Sequence, residues 1–168
     1  AVVAGSTEAA VSDADIISVA ASRLKPVIIE DAWLKPGSTL ILTGVAQVEE
    51  RYWNDATIVF DNNKLHMANM EDAHRCDTDP REAYKTMMNG VLYQMVEDGK
   101  LPALETMPSL GDIACGKVPG RVSDEQRIAV VTGGMATEDV AWAYDLYLRA
   151  KEMGLGQKLL LWDEPHWS

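Results

Sequence analysis

Val131-Thr-Gly-Gly-Met-Ala-Thr-Glu-Asp139 is the stretch on which the fold turns. An apolar run, Ile128 to Val131, empties into Gly133 and Gly134. A helical stripe then begins, carried by Ala136, Val140, Ala143, Tyr147 and Ala150. A strand that ends in glycines just ahead of a helix builds a ligand-facing lip at the carboxyl end of a parallel strand in α/β nucleotide-binding domains. A glycine pair alone is weak evidence, so the rest of the chain decides its meaning.

Working upstream, four further runs have strand length and composition: Ile16 to Ala20, Val27 to Ile29, Thr39 to Thr43 and Thr57 to Phe60. They are apolar throughout rather than alternating, which predicts a parallel sheet covered on both faces. One of them empties into a glycine, Gly44, and another ends at Asp61. Ser6 is placed to cap a short helix ending at Val11. A helical turn over Glu30 to Leu34 stops at Pro36-Gly37. Asp79-Pro80-Arg-Glu82 gives an N-cap, a proline at N1 and an acid at N3. Tyr84, Met87, Met88, Val91 and Met95 then predict one continuous helix as far as Gly99. Leu101 to Val122 reads as loop, Ser123 to Gln126 as a capped turn, and Leu159 to Trp162 as a last strand.

With 168 residues and 47% hydrophobic content, the chain can bury a core. A net charge of −11 argues against nucleic-acid backbone binding, but not against a nucleotide held by main-chain N–H groups. Cys76 and Cys115 form no C-x-x-C pair; with no signal peptide visible, a reducing compartment, the cytoplasm, is expected, a single disulfide between the two being the alternative. No apolar run approaches the roughly 20 residues that span a bilayer, so no membrane partner is expected. The opening Ala1-Val2-Val3-Ala4 reads as the tail of a strand already under way, and the chain is expected to be a fragment, a processed chain or a subunit. No G-x-G-x-x-G and no P-loop occur, so a dinucleotide site cannot be complete within these residues.

Chemistry-bearing candidates are few. His66 and His74 lie eight apart, about two helical turns, too far for one metal ion, and with His166 they give no metal site. His66 follows the strand end at Asp61 and is a candidate acid–base residue; the competing reading is a solvated loop histidine. Lys64 in the same segment could hold a carboxylate or phosphate of a substrate. Ser22 lacks a nucleophile elbow. Glu49-Glu50-Arg51 reads as a solvated face.

Four blocks, taken together, resemble the C-terminal half of the ornithine cyclodeaminase/mu-crystallin family. They are Ser12 to Ala20, Trp33-Leu-Lys-Pro-Gly-Ser-Thr39, Gly116-Lys-Val-Pro-Gly-Arg-Val-Ser-Asp124, and Thr132 to Asp139 running on to Lys151-Glu-Met-Gly-Leu-Gly156. The resemblance implies an α/β fold: a Rossmann-like parallel sheet, incomplete because it lacks the glycine-rich first βαβ unit, with a C-terminal helix and strand returning to a second domain. Residues 1–138 would be the C-terminal part of the NAD(P)-binding domain. Residues 139–168 would pack on a missing N-terminal substrate and dimerisation domain.

The resemblance also implies NAD or NADP as cofactor and hydride transfer between nicotinamide and an amino acid or imine. Its partners would be that small substrate, the missing N-terminal segment or a partner chain, and a second copy in a homodimer. A non-catalytic nucleotide- or ligand-binding protein of the same fold is the alternative. Position by position, Ser18, Val19, Ala20, Thr43 and Gly44 match strand ends beside the cofactor. Thr132, Gly133 and Gly134 match the loop over the nicotinamide, and Met135 would touch substrate. Where cyclodeaminases carry G-x-D, this chain reads Gly44-Val-Ala46, and Val48-Glu49 replaces a Gly-Lys step. Glu49 and His66 are therefore the candidates for the missing catalytic acid–base group.

Overall fold

A computed structural model describes residues 2–21 and 25–160. Ser22, His166 and the second half of the expected strand at Leu159 to Trp162 lie outside the described residues. Leu159 and Leu160 themselves have no regular structure. The chain divides into two compact units, Ala1–Gly134 and Met135–Ser168.

The first unit is built on four parallel strands: β1 (Ile16–Val19), β3 (Thr39–Leu42), β5 (Thr57–Phe60) and β6 (Ile128–Val131). Their spatial order is β1-β3-β6-β5, so the last strand in sequence inserts between two earlier ones. The register is flush: Val19 pairs with Leu42, Leu42 with Val131, and Val131 with Phe60. All four strands therefore stop in one row, and whatever follows each of them lies along a single carboxyl edge. Two short strands, β2 (Val27–Ile29) and β4 (Ala46–Val48), make a separate parallel pair. The expected strand at Val27 thus exists but does not join the main sheet.

The coverage expected from composition needs correcting. Burial alternates along β1 and β3 instead of being complete on both faces. Ile17, Val19, Leu40, Leu42, Ala129 and Val131 are buried, whereas Ile16 is 69% exposed. A uniformly apolar strand permits two-sided burial, but only neighbouring elements can deliver it.

Helices α1 (Thr7–Val11), α2 (Glu50–Asp55) and α3 (Asn63–Arg75) follow in the first unit. Ser6 caps α1 through its hydroxyl, as expected. In α2, Tyr52 and Trp53 are buried with their rings edge to face, while Glu50 and Arg51 remain exposed. The single helix expected between Asp79 and Gly99 is two, α4 (Pro80–Tyr84) and α5 (Gly90–Glu97). Asp79 caps α4 and Gly99 closes the segment at φ 69°, so both ends of the prediction hold. The break falls at Asn89-Gly90, two weak helix formers. A Cβ on Gly90 would lie 1.7 Å from the Tyr84 carbonyl oxygen, so only glycine permits this fold-back. The buried set is accordingly Tyr84, Leu92, Tyr93 and Met95, with Val91 turned outward. Within the expected loop, Leu110–Ala114 forms a short helix, α6.

The second unit contains α7 (Ala136–Glu152), none of whose residues is buried. Its acidic first turn, Glu138 and Asp139, and basic last turn, Arg149 and Lys151, match the helix dipole. Among the described residues, no helix is long and apolar enough to cross a membrane.

Candidate functional site

The flush strand ends create a rim. At two of its steps a threonine doubles the sheet's last hydrogen bond. Thr43 donates to the Val19 carbonyl through both its N–H and its Oγ1, each at 3.0 Å. Thr132 does the same to the Leu42 carbonyl, at 3.1 and 3.0 Å. Each hydroxyl proton is committed to a carbonyl, so the oxygens can present only acceptor lone pairs outward. At the third step the Asp61 N–H reaches the Val131 carbonyl at 3.2 Å.

Close approach crowds two glycines on this rim, Gly44 against backbone and Gly133 against a side chain. A Cβ on Gly44 would meet the Ala21 main-chain N at 2.7 Å. A Cβ on Gly133 would meet Leu65 Cδ2 at 2.5 Å. Gly134 needs its positive φ of 85°.

The Gly133–Gly134 lip is held by a carboxylate. Asp61 Oδ2 accepts from the N–H groups of both Gly133 and Gly134 at 2.8 Å. Its Oδ1 accepts from the Asn62 N–H at 2.7 Å and from His66 Nε2 at 3.0 Å. His66 sits in the first turns of α3, which Asn62 caps through its side chain. Asn63 locks the same helix start to the 104–107 turn by donating to the Leu104 and Met107 carbonyls.

His66 is completely buried, contrary to the solvated-loop reading. The carboxylate fixes its tautomer: Nε2 carries the proton, and Nδ1 accepts from the Tyr93 hydroxyl at 2.8 Å. Asn69 in turn donates to that hydroxyl at 3.3 Å. Burial pushes the His66 imidazole below its ordinary pKa, and the opposing pull of Asp61 does not restore it. His66 is therefore neutral at neutral pH. Burial pushes the Asp61 carboxyl up, but the donated hydrogen bonds of Gly134, Gly133, His66 and Asn62 together outweigh it. The net pKa lies below the usual carboxylate value.

The other candidates are dispersed. Val19 is buried, while Ser18, Ala20 and Thr43 are exposed along the rim with Gly133 and Gly134. Lys64 is exposed at the start of α3 and lines, with Asp61, Asn63, Met67 and Ser109, a groove of about 640 Å³. Glu49 follows β4; its exposed carboxylate accepts from the Asp31 N–H at 2.8 Å and has no hydrogen bond to His66. Met135 begins the second unit as the N-cap residue of α7. Cys76 and Cys115 are free, exposed thiols. Among the described residues, no group of three or more His, Cys, Asp or Glu is arranged to hold a metal ion. Sequence reasoning missed Asp61 and Tyr93. The one local signal was an acid directly after a strand, five residues before a histidine.

The model of the ornithine cyclodeaminase/mu-crystallin family matches residues 1–154. A nodulation efficiency protein, NfeD, of Rhizobium meliloti is 27% identical over 149 residues, 89% of this chain and 40% of that protein. The N-((2S)-2-amino-2-carboxyethyl)-L-glutamate dehydrogenase of Staphylococcus aureus is 25% identical over 91% of this chain and 40% of its own length. This chain thus spans about 40% of the length of these curated relatives. The structure of Thermococcus litoralis Δ1-pyrroline-2-carboxylate reductase, in complex with NADH and L-proline, shares the fold. It superimposes with a TM-score of 0.64 at 19% identity, over 92% of this chain and 43% of that one.

Proposed function

This chain belongs to the ornithine cyclodeaminase/mu-crystallin family, and from that premise we propose that it supplies the carboxyl-edge half of a nicotinamide site in an NAD(P)-dependent oxidoreductase. The reaction is hydride transfer between the nicotinamide and an amino acid or its imine. The observation that carries the reading is the flush carboxyl edge, where all four strands stop in one row and the exposed Gly133–Gly134 lip beside them carries no side chain. A flat ring needs such a side-chain-free approach, and open α/β sheets bind ligands outside the carboxyl ends of their strands.

When bound, the nicotinamide supplies the hydride donor or acceptor. Ser18, Val19, Ala20, Thr43 and Gly44 form the floor beside it, and Thr132, Gly133 and Gly134 form the lip. The hydroxyl oxygens of Thr43 and Thr132 offer acceptors to a hydrogen-bond donor such as a carboxamide N–H. Met135 and Lys64 are assigned to substrate, Lys64 as the counter-charge for a carboxylate. Glu49 carries the exposed carboxylate suited to proton transfer. Both ring nitrogens of His66 are engaged inside the protein, so its contribution passes through Asp61. The glycine-rich phosphate-binding unit lies, in this proposal, in residues beyond the present sequence.

The test is to follow nicotinamide absorbance in the whole protein containing this chain, over a panel of amino acids, keto acids and amines. A rise in Tm with NADH or NADPH and turnover of at least one panel member support the proposal. No shift with either cofactor sinks it. Cofactor binding without turnover across the panel would instead favour the non-catalytic binder, for which Ala46, standing where cyclodeaminases carry an aspartate, is the specific argument.

A further inference from the structure

We infer that Asp61 is a positioning residue that sets the Gly133–Gly134 lip, with His66 and Tyr93 orienting its carboxylate from behind. For turnover this rests on the nicotinamide reading above; the clamp itself does not.

Two successive main-chain N–H groups converging on one point form a nest, a device that ordinarily binds an anion. Here the nest is filled from within: the N–H groups of Gly133 and Gly134 both meet Asp61 Oδ2. The lip therefore has no free nest to offer a ligand's phosphate. Its conformation is set before any ligand arrives. Four donors converge on the carboxylate, two on each oxygen, which leaves it one orientation. Charge-assisted hydrogen bonds of this kind are roughly twice as strong as neutral ones.

His66 is the only one of the four donors that belongs to a side chain. Its ring is in turn held by the Tyr93 hydroxyl and by the Phe60 ring, whose centroid lies 4.6 Å away. The relay Tyr93 to His66 to Asp61 to the lip thus runs from α5 through α3 to the loop after β6. It fastens the lip to the same helix turn whose Leu65 fills the space against Gly133.

The experiment uses the whole protein with Asp61→Asn, which keeps the size of the side chain and removes its charge. Tyr93→Phe is the milder second variant, since it leaves Asp61 in place and removes only the hydroxyl. Hydrogen exchange at the Gly133 and Gly134 amides is measured without nucleotide. Exchange should rise about 10- to 100-fold in Asp61→Asn, the factor expected when hydrogen bonds to a charged group are lost, and less in Tyr93→Phe. In steady state, kcat should fall by a similar factor with KM for the nicotinamide little changed, because a displaced lip misplaces the reacting groups more than it weakens binding. Unchanged exchange at both amides in both variants overturns the clamp. Wild-type kcat in Asp61→Asn, with only Tm lowered, reduces Asp61 to a structural role and overturns the positioning claim. Raised exchange in a protein that binds no nicotinamide leaves the clamp standing and fails the nicotinamide reading alone.

Discussion

Helix α3 carries two histidines, and each meets a carboxylate with a tyrosine close by. His66 bonds to Asp61 and Tyr93. Two turns later, His74 bonds to Glu97, which also accepts from the Tyr84 hydroxyl. The two tyrosine rings touch edge to face, 5.8 Å apart. The parts are the same and the surroundings differ. The His66 side chain is wholly buried and Asp61 nearly so, whereas His74 and Glu97 side chains are 51% and 27% exposed. Water reaches His74 and Glu97 in the second set, although Tyr84 itself is buried, and it reaches the side chains of His66 and Asp61 hardly at all. The buried set therefore dictates geometry, while the exposed set only decorates it.

The sharpest way to break this comparison is to delete each carboxylate. Asp61→Ala strands the His66 ring proton inside the protein and leaves the N–H groups of the exposed Gly133 and Gly134 to water. It should cost about 2–3 kcal/mol in urea unfolding, because the buried donor keeps its desolvation penalty and bonds to a charged group are lost. Glu97→Ala leaves its partners to solvent and should cost about 1 kcal/mol or less. Equal losses for the two would show that burial does not separate them.

A smaller effect tests the lip from its other side. Gly133→Ala places a methyl group 2.5 Å from Leu65 Cδ2, in the turn that also holds His66. Overpacking of this kind costs about 1–3 kcal/mol. Gly99→Ala, at φ 69° with nothing within 4 Å, faces backbone strain alone and should cost about 1 kcal/mol. The informative readout is hydrogen exchange at Gly134: it should change in the first variant and not in the second.

How far these features could be read in advance follows from which signals are local. β1, β3, β5 and β6 are apolar runs of strand length, and each was legible. β4 is Ala-Gln-Val, too short and too mixed to stand out. α3 stayed hidden because its 13 residues, from Asn63 to Arg75, are mostly polar and carry only a short apolar stripe, Met67, Met70 and Ala73. Its position is set by the Asn62 cap and by Asn63 reaching residues about forty positions away, which no sequence window contains. The stripe of methionines suggested one helix because periodicity carries across a break when both halves face the same core. Of the candidate site, the rim was legible because strand ends announce themselves. The clamp was not, since Asp61 meets Gly133 and Gly134 across more than seventy residues and Tyr93 completes the relay from another helix.

Removing one hydroxyl from each tyrosine refines the contrast without disturbing packing. Tyr93→Phe leaves His66 Nδ1 as a buried acceptor with no donor and should cost about 1–3 kcal/mol. Tyr84→Phe removes a bond to Glu97, which solvent can reach, and should cost about 1 kcal/mol or less. Thermal melts at fixed pH suffice to rank the two.

The smallest expected change at neutral pH is His74→Gln, within about 0.5 kcal/mol as for an ordinary surface substitution. Its value lies in the pH dependence that it leaves intact. The pKa of His66 in the folded protein lies below the ordinary 6.5, because burial resists the charge. The unfolded chain therefore binds a proton at that residue first as pH falls. Stability is full above the ordinary value and declines from about pH 6.5 downward, toward the depressed folded value. Asp61 and Glu97 are both held below their ordinary values of 3.8 and 4.5, so the stability they confer is present through this window and is lost only at lower pH. Melts of the wild type at pH 7 and pH 5 should then show a drop that survives in His74→Gln. In His66→Gln the drop should shrink, because an amide can donate to Asp61 without taking up a proton. A drop that vanished with His74 and persisted without His66 would place the pH-sensitive group on the exposed set and reverse the comparison.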